Sequence, residues 1–249
     1  MFQLPKSWAK RIQEEWRILE KDLPDTIFVR VYESRMDILR AAIIGVEGTP
    51  YHDGLFFFDV YFPSSYPDTP PLVKYHSGGL RINPNLCKSG RVCLSLLNTW
   101  SGGQQEKWVP GTSTMLQVLV SIQGLILNTK PFFNEPWFAY DSDIALGEKM
   151  SLQYNEDTLI LSLKTMVHTM NKLPKNFEEL VAGHFRNRVG DILMACKAKP
   201  PQILLNFYCW FPVAVQNPTN NEPMIGDMMM NKEEDASMTM LDDGYVMMR

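Results

Sequence analysis

Leu55-Phe56-Phe57-Phe58-Asp59-Val60-Tyr61-Phe62 decides how this chain folds. The run is rich in aromatic and β-branched residues, which suit a pleated, half-buried surface and read as a strand. Two similar runs precede it, Ile27-Phe28-Val29-Arg30-Val31-Tyr32 and Ile38-Leu39-Arg40-Ala41-Ala42-Ile43-Ile44, and Leu72-Val73-Lys74-Tyr75 follows. The breaks at 33–35, 45–54 and 63–71 carry Gly, Pro, Ser and Asp, the residues of turns. Breaks this short leave no room for crossover helices. The four strands are therefore expected to form an antiparallel meander, open and with helices on one side.

Outward from the sheet, Ser7 is placed to cap a helix through Lys21, with Trp8, Ile12, Trp16, Leu19 and Leu23 near one face. Glu14, Glu15, Arg17 and Lys21 fall largely on the others, and Pro24 ends the run. Residues 112–127 return to helical spacing with Met115, Val118, Leu119, Ile122, Leu125 and Ile126. So heavy an apolar load implies a helix buried against the sheet. Further helical patterns cover 143–173 and 177–198. At Pro200-Pro201 the character changes, first to the aromatic stretch 203–215 and then to a Met- and acid-rich end with little periodicity. The expectation there is a mobile or poorly packed tail without a catalytic role. The fold class read from this pattern is α+β.

A chain of 249 residues, 45% hydrophobic and 21% charged, has enough apolar content for one full domain plus extensions. Its net charge of -4 and scattered basic residues argue against a nucleic-acid footprint. Cys87, Cys93, Cys196 and Cys209 form no CxxC pair, so free thiols in a reducing compartment are expected, and zinc is not. Met1 to Lys6 lacks the apolar region of a secretory signal, and no apolar run reaches membrane-spanning length. A cytoplasmic or nuclear protein follows, with no membrane partner.

The chemistry centres on Cys93, which follows the turn Ser89-Gly90-Arg91 and stands eight positions after Asn85. A hydrolase of the Cys/His type needs a base beside the thiol. His52 and His76 fall in turns beside strands, whereas His168 and His184 lie on helical segments, none in a protease signature. Cys87 makes a weak metal case with Cys93, because two thiols without two further ligands do not build a site, and it reads as a passenger in the loop. What remains is a cysteine without a base, near an amide able to donate to a developing oxyanion. That combination suits acyl-thioester carriage.

These residues carry a family resemblance. Ile44-Gly45-Val46-Glu47-Gly48-Thr49-Pro50-Tyr51, Gly54-Leu55-Phe56-Phe57, Tyr66-Pro67-Asp68-Thr69-Pro70-Pro71, Asn83-Pro84-Asn85, Gly90-Arg91-Val92-Cys93-Leu94 and Trp108-Val109-Pro110 together resemble the ubiquitin-conjugating (E2) enzymes, over residues 4–170. The aromatic strand, the Asn-Pro-Asn-Leu opening and the insert at 98–107 look most like the large plant phosphate-homeostasis conjugating enzyme and the animal hybrid conjugating/ligase enzymes. Those relatives carry long N-terminal regions, and this chain is expected to lack one.

The resemblance implies a conjugating core over 4–170 with the four-stranded meander packed on helices. A C-terminal helical extension over 171–199 and the tail over 200–249 would follow. It implies that Cys93 receives ubiquitin from an activating enzyme as a thioester and passes it to substrate lysines, with Asn85 as the oxyanion or loop-ordering amide. Glu135, in Asn134-Glu135-Pro136, matches the gate that receives the incoming lysine. Pro70 and Pro71 match rigid turn residues. The partners implied are ubiquitin, the activating enzyme, protein substrates and a ubiquitin ligase. No cofactor is implied, since the activating enzyme uses the ATP.

The match departs from the family at Asn83, where a histidine is usual, and at Ser95, where an aspartate is usual. Asp68 replaces a common hydrophobic residue in the ligase-facing loop, with Gly111 in the second loop, so docking of a standard RING-type ligase is expected to be weak. Substrate recognition through the insert is the expectation that follows. The alternatives are an inactive binding module of the same fold, against which the presence of Cys93 and Asn85 argues, and conjugation of another ubiquitin-like modifier.

Overall fold

Burial and capping, more than helix propensity, fix where the elements lie in the computed structural model, which describes residues 6–140, 142–197 and 245–248. The first helix, α1 (Lys6–Asp22), buries Trp8, Ile12 and Leu19 at helical spacing. The meander follows as β1 (Ile27–Tyr32), β2 (Ile38–Ile44), β3 (Leu55–Tyr61) and β4 (Leu72–Tyr75), every neighbouring pair antiparallel. Val29, Ala41, Phe58 and Tyr75 lie opposite one another across the four strands. They belong to the core beneath α1 and α2 (Met115–Ser121). Thr114 caps α2 in a reciprocal box with Gln117, and the helix then widens into a π turn at Ile122–Ile126.

Helices cover both faces of the open sheet, which corrects the expectation of helices on one side. The adjacent row Phe28, Ala42 and Phe57 packs on the far side against Val181, Phe185 and Ile192 of α5 (Glu178–Lys197) and against Phe177 just before it. The rings of Phe57 and Phe177 meet edge-on at 5.4 Å between centroids. Leu163 and Met166 of α4 (Ala145–Asn171) join this second core. Each such fully buried side chain contributes about 1.5–3 kcal/mol, so the extension is bound to the sheet by several large terms. His184 Nε2 donates to the carbonyl of Asp53 at 2.8 Å, pinning α5 to the β2–β3 loop.

A second correction concerns Glu15, expected on an outward face of α1. It is fully buried, with its carboxylate accepting the Met115 N–H at 2.9 Å, the Arg11 guanidinium at 2.6 Å and the Tyr66 hydroxyl. An anion at the first N–H of α2 is stabilised by the exposed amides there, which explains why a carboxylate is tolerated at this depth. The third correction is at the far end of the chain. Tyr245–Met248 forms β5, antiparallel to β1, so the sheet has five strands in the order β4-β3-β2-β1-β5. The rest of the expected tail, 200–244 and Arg249, lies outside the described residues. Among the described residues no helix is long and apolar enough to cross a membrane.

Candidate active site

Residues 85–93 fold into a tight hairpin between β4 and α2. Leu86 and Val92 face each other as an antiparallel bridge, and both are buried. Gly90, at φ 87°, turns the chain, and a side chain there would meet the Tyr75 carbonyl at 2.6 Å. Cys93 sits at the outgoing end, 6% exposed. Its N–H donates to the Asn85 carbonyl at 2.8 Å, while Asn85 Nδ2 donates to the Cys93 carbonyl at 2.9 Å. The Cys93 backbone is thus held from both sides by the one asparagine.

Asn83 supports this arrangement from below. It is 0% exposed and donates through Nδ2 to the Tyr51 hydroxyl at 2.8 Å and to the Ile126 carbonyl at 2.7 Å. Its Oδ1 accepts the Asn85 N–H at 2.8 Å. The Ile126 carbonyl, left without a helical partner by the end of the π turn, also accepts from Asn134 Nδ2 at 3.1 Å. One network therefore ties the hairpin to the end of the central helix and to the segment that carries Glu135.

Glu135 precedes the short helix α3 (Pro136–Ala139) and lies 3.9 Å from the Arg81 guanidinium. Its side chain is 30% exposed, so the carboxylate is wet on one side and loosely paired on the other. Burial pushes the Cys93 thiol above its ordinary value, and the neighbouring Cys87 thiol adds to this, while Arg91 and Arg81 pull it back. The thiol is thus mostly protonated at neutral pH. The recorded partners of the histidines are elsewhere: His76 holds Asp59 at 2.7 Å, His52 and His184 hold Asp53, and His168 packs at Gly78.

Three residues that sequence reasoning passed over belong to the site. Cys87, read as a passenger, lies on the hairpin face of Cys93 and pushes its thiol up. Arg91 and Arg81 supply the positive charge around it. Cys87 and Arg91 were within reach of the sequence, because alternation about the Leu86/Val92 pair puts Asn85, Cys87, Arg91 and Cys93 on one face. Ser95 is buried and opens a 3-10 turn, and the insert folds back over it, with Glu106 and Ser95 both crowding Gly102. Thr99 Oγ1 locks the start of the insert by donating to the Val92 carbonyl at 2.6 Å and accepting the Leu94 N–H at 3.0 Å.

Comparison with known proteins agrees with this geometry. The sequence profile of the family described as ubiquitin-conjugating enzyme matches residues 11–145, more than half of the chain. The chain is 69% identical over 193 residues to the probable ubiquitin-conjugating enzyme E2 25 of Arabidopsis thaliana, an overlap that covers 78% of this chain and 32% of that protein. It is 60% identical over 193 residues to the putative ubiquitin-conjugating enzyme E2 38 of the same plant, covering 78% of this chain and 59% of that protein. Against the human dual E2 ubiquitin-conjugating enzyme/E3 ubiquitin-protein ligase BIRC6 it is 41% identical over 197 residues, covering 76% of this chain and 4% of that protein. The chain therefore spans only part of the length of these curated relatives. On the matched profile, with the Asn-supported cysteine lying inside it, the chain belongs to the ubiquitin-conjugating enzyme family.

Proposed function

We propose that Cys93 accepts ubiquitin from an activating enzyme as a thioester and transfers it to lysine amines of protein substrates. The observation that carries this reading is the pairing of Cys93 with Asn85, in which two hydrogen bonds hold the cysteine, burial pushes its thiol up and, among the described residues, no histidine is hydrogen-bonded to it. Such a cysteine exchanges acyl groups with another thioester. In the second step the lysine amine attacks the thioester carbonyl, the oxyanion collapses, and Cys93 leaves as a thiolate. Arg91 and Arg81 favour that thiolate.

Glu135 orients or desolvates the incoming amine in this scheme, and Arg81 keeps its carboxylate from wandering. The chain needs no cofactor of its own, since the activating enzyme consumes the ATP, and it works in the cytoplasm or nucleus. The division into a core over 4–170, a helical extension over 171–199 and a tail over 200–249 is part of the same proposal. Asp68 and Gly111 are both exposed, and the Trp108 indole donates to the Pro67 carbonyl at 2.7 Å, so their loops form one surface. An acid in that surface weakens docking of a standard RING-type ligase, and the insert at 98–107 takes over part of substrate recognition.

The test is to incubate the protein with activating enzyme, ATP and ubiquitin. A reductant-sensitive adduct that is lost in Cys93→Ala is expected, and its absence from folded wild-type protein overturns the reading. Discharge onto free lysine, with and without a common RING domain, tests the ligase surface: full stimulation by the RING domain counts against it.

A further inference from the structure

Cys87 has no part in the chemistry above, yet the fold sets it against Cys93. The Leu86/Val92 pair is flanked by two backbone bonds, from Cys93 N–H to the Asn85 carbonyl at 2.8 Å and from Cys87 N–H to the Arg91 carbonyl at 3.0 Å. In such a ladder Cys87 and Cys93 are diagonal neighbours on the face opposite Leu86 and Val92. On that shared face the Cys87 thiol pushes the Cys93 thiol up. A disulfide takes α-carbons about 4.4–6.8 Å apart and diagonal strand neighbours lie about 7–8 Å apart, so closing the bond needs only a small drawing-in of the hairpin. Cys87 is half-buried and Cys93 is 6% exposed, so an oxidant in solution reaches Cys87 first. Cys196, by contrast, is 0% exposed within the core between α5 and the sheet.

We propose that Cys87 and Cys93 form a single oxidative modification site, closed to a disulfide by hydrogen peroxide. The Cys87 thiolate attacks one peroxide oxygen and the O–O bond breaks. The hydroxide released takes up the thiol's proton to become water, leaving Cys87 as the sulfenic acid. The Cys93 sulfur then attacks the sulfenic sulfur, the S–O bond breaks, and a second water leaves with the Cys93 proton. Two thiols have lost two hydrogens, and one peroxide has become two waters. The consequence for activity rests on the thioester reading: the disulfide removes the nucleophile, and ubiquitin charging stops until a reductant restores it.

The test treats the whole chain with hydrogen peroxide, blocks remaining thiols with iodoacetamide and digests without reduction. Trypsin cuts after Lys88 and Arg91, so the two cysteines leave on separate peptides, 82–88 and 92–107. The expected product is these peptides joined, two hydrogens lighter than the pair. It disappears with dithiothreitol and is absent from folded Cys87→Ser. Charging of the treated wild type is expected to fall at least about tenfold and to return with dithiothreitol. Separate peptides bearing alkylated or sulfinic cysteines, or a bond from Cys93 to Cys196 or Cys209, overturn the proposal. Peptide mapping needs no ubiquitin, so the joined peptide in a protein that never charges supports the site and counts against the thioester reading alone.

Discussion

Asn85 and Cys93 hold each other through two hydrogen bonds, the Asn85 side-chain amide on the Cys93 carbonyl at 2.9 Å and the Cys93 N–H on the Asn85 carbonyl at 2.8 Å. An amide donor occupied by the backbone of the nucleophile positions the loop more directly than it stabilises an oxyanion. In Asn85→Ala, charging and lysine discharge are expected to fall together, by about tenfold, as the thiol loses its fixed position. A donor aimed at the oxyanion behaves differently, costing discharge about 100-fold or more. Single-turnover discharge measured beside the charging rate separates the two, and a selective loss of discharge refutes the positioning role.

Asn83 is the more exacting position for stability. Its side chain serves Tyr51, Ile126 and Asn85 with no exposure to water, so Asn83→Leu strands the buried Asn85 N–H, while the Tyr51 hydroxyl keeps its bond to Ile82 and the Ile126 carbonyl keeps the one from Asn134. A group stranded in this way costs about 1–3 kcal/mol, and with two further hydrogen bonds lost a total of about 2 kcal/mol is expected after relaxation. Urea denaturation monitored by tryptophan fluorescence measures it. A loss under about 1 kcal/mol shows that the network is dispensable.

The raised Cys93 thiol makes reactivity depend on pH and on nearby charge. Its alkylation rate by iodoacetamide is expected to keep rising beyond the range of an ordinary thiol. Arg91→Ala removes a cation that favours the thiolate, so alkylation at pH 8 slows about two- to fivefold. Arg91 also donates to the Thr99 carbonyl at 3.2 Å. Arg91→Lys, which keeps the charge, is therefore expected to retain most of the rate. Equal slowing in both variants attributes the effect to geometry instead.

Acid is expected to weaken the fold in two steps. Burial disfavours the charge on His184 and His168 and lowers both below the usual histidine value, so the unfolded chain takes up protons that the native chain refuses. That contribution is whole above about pH 6.5 and declines as the pH falls below it. Burial also opposes ionisation of Asp59, but hydrogen bonds from His76 and Arg40 outweigh it and hold the carboxyl at about 2. The lowered value stabilises the native state by about 2 kcal/mol above pH 4, and the gain is lost as the pH falls from about 4 through 2. Urea midpoints for wild type, Asp59→Asn and His184→Gln across this range check the assignment. Asp59→Asn should flatten only the lower step.

Much of this was legible in the sequence where the signal is local. The four meander strands stand out as β-branched and aromatic runs, and Pro24 ends the first helix by short-range chemistry. The continuous apolar run Leu55-Phe56-Phe57-Phe58 was a sign of burial on both faces, because a strand wet on one side alternates. Reading it as one-sided missed the place of α5. Glu15 was not legible, since what makes its burial tolerable is Tyr66 and the Met115 N–H, 51 and 100 residues away. Nor was β5, whose four residues Tyr245–Met248 offer too short a pattern to outweigh the polar sequence before them. At the site, Cys93 and Asn85 were found from their spacing, whereas Cys87 was discarded for want of a metal partner when the strand alternation already placed it.

Beyond its Thr99 anchor, the insert closes on the site at Gly102. A β-carbon on Gly102 would overlap the Ser95 hydroxyl and the Glu106 carboxylate, and would lie 2.6 Å from Ser95 Cβ, which cannot swing away as a flexible chain end can. Gly102→Ala must therefore lift the insert off Ser95, two positions from the nucleophile. Overpacking of this kind costs about 1–3 kcal/mol in a core, and the lower end is expected in a partly exposed loop. The greater effect should be local: faster amide exchange over residues 99–107 and altered lysine discharge, with charging on Cys93 retained. Adding Ser95→Gly removes the Ser95 atoms and leaves only the Glu106 carboxylate, a flexible chain end that can swing aside, so the double variant should recover slow exchange even though each single change loosens the loop. Additive loosening in the double variant means that the insert is held by its Thr99 anchor alone, and that Glu106 and Ser95 are in contact without consequence.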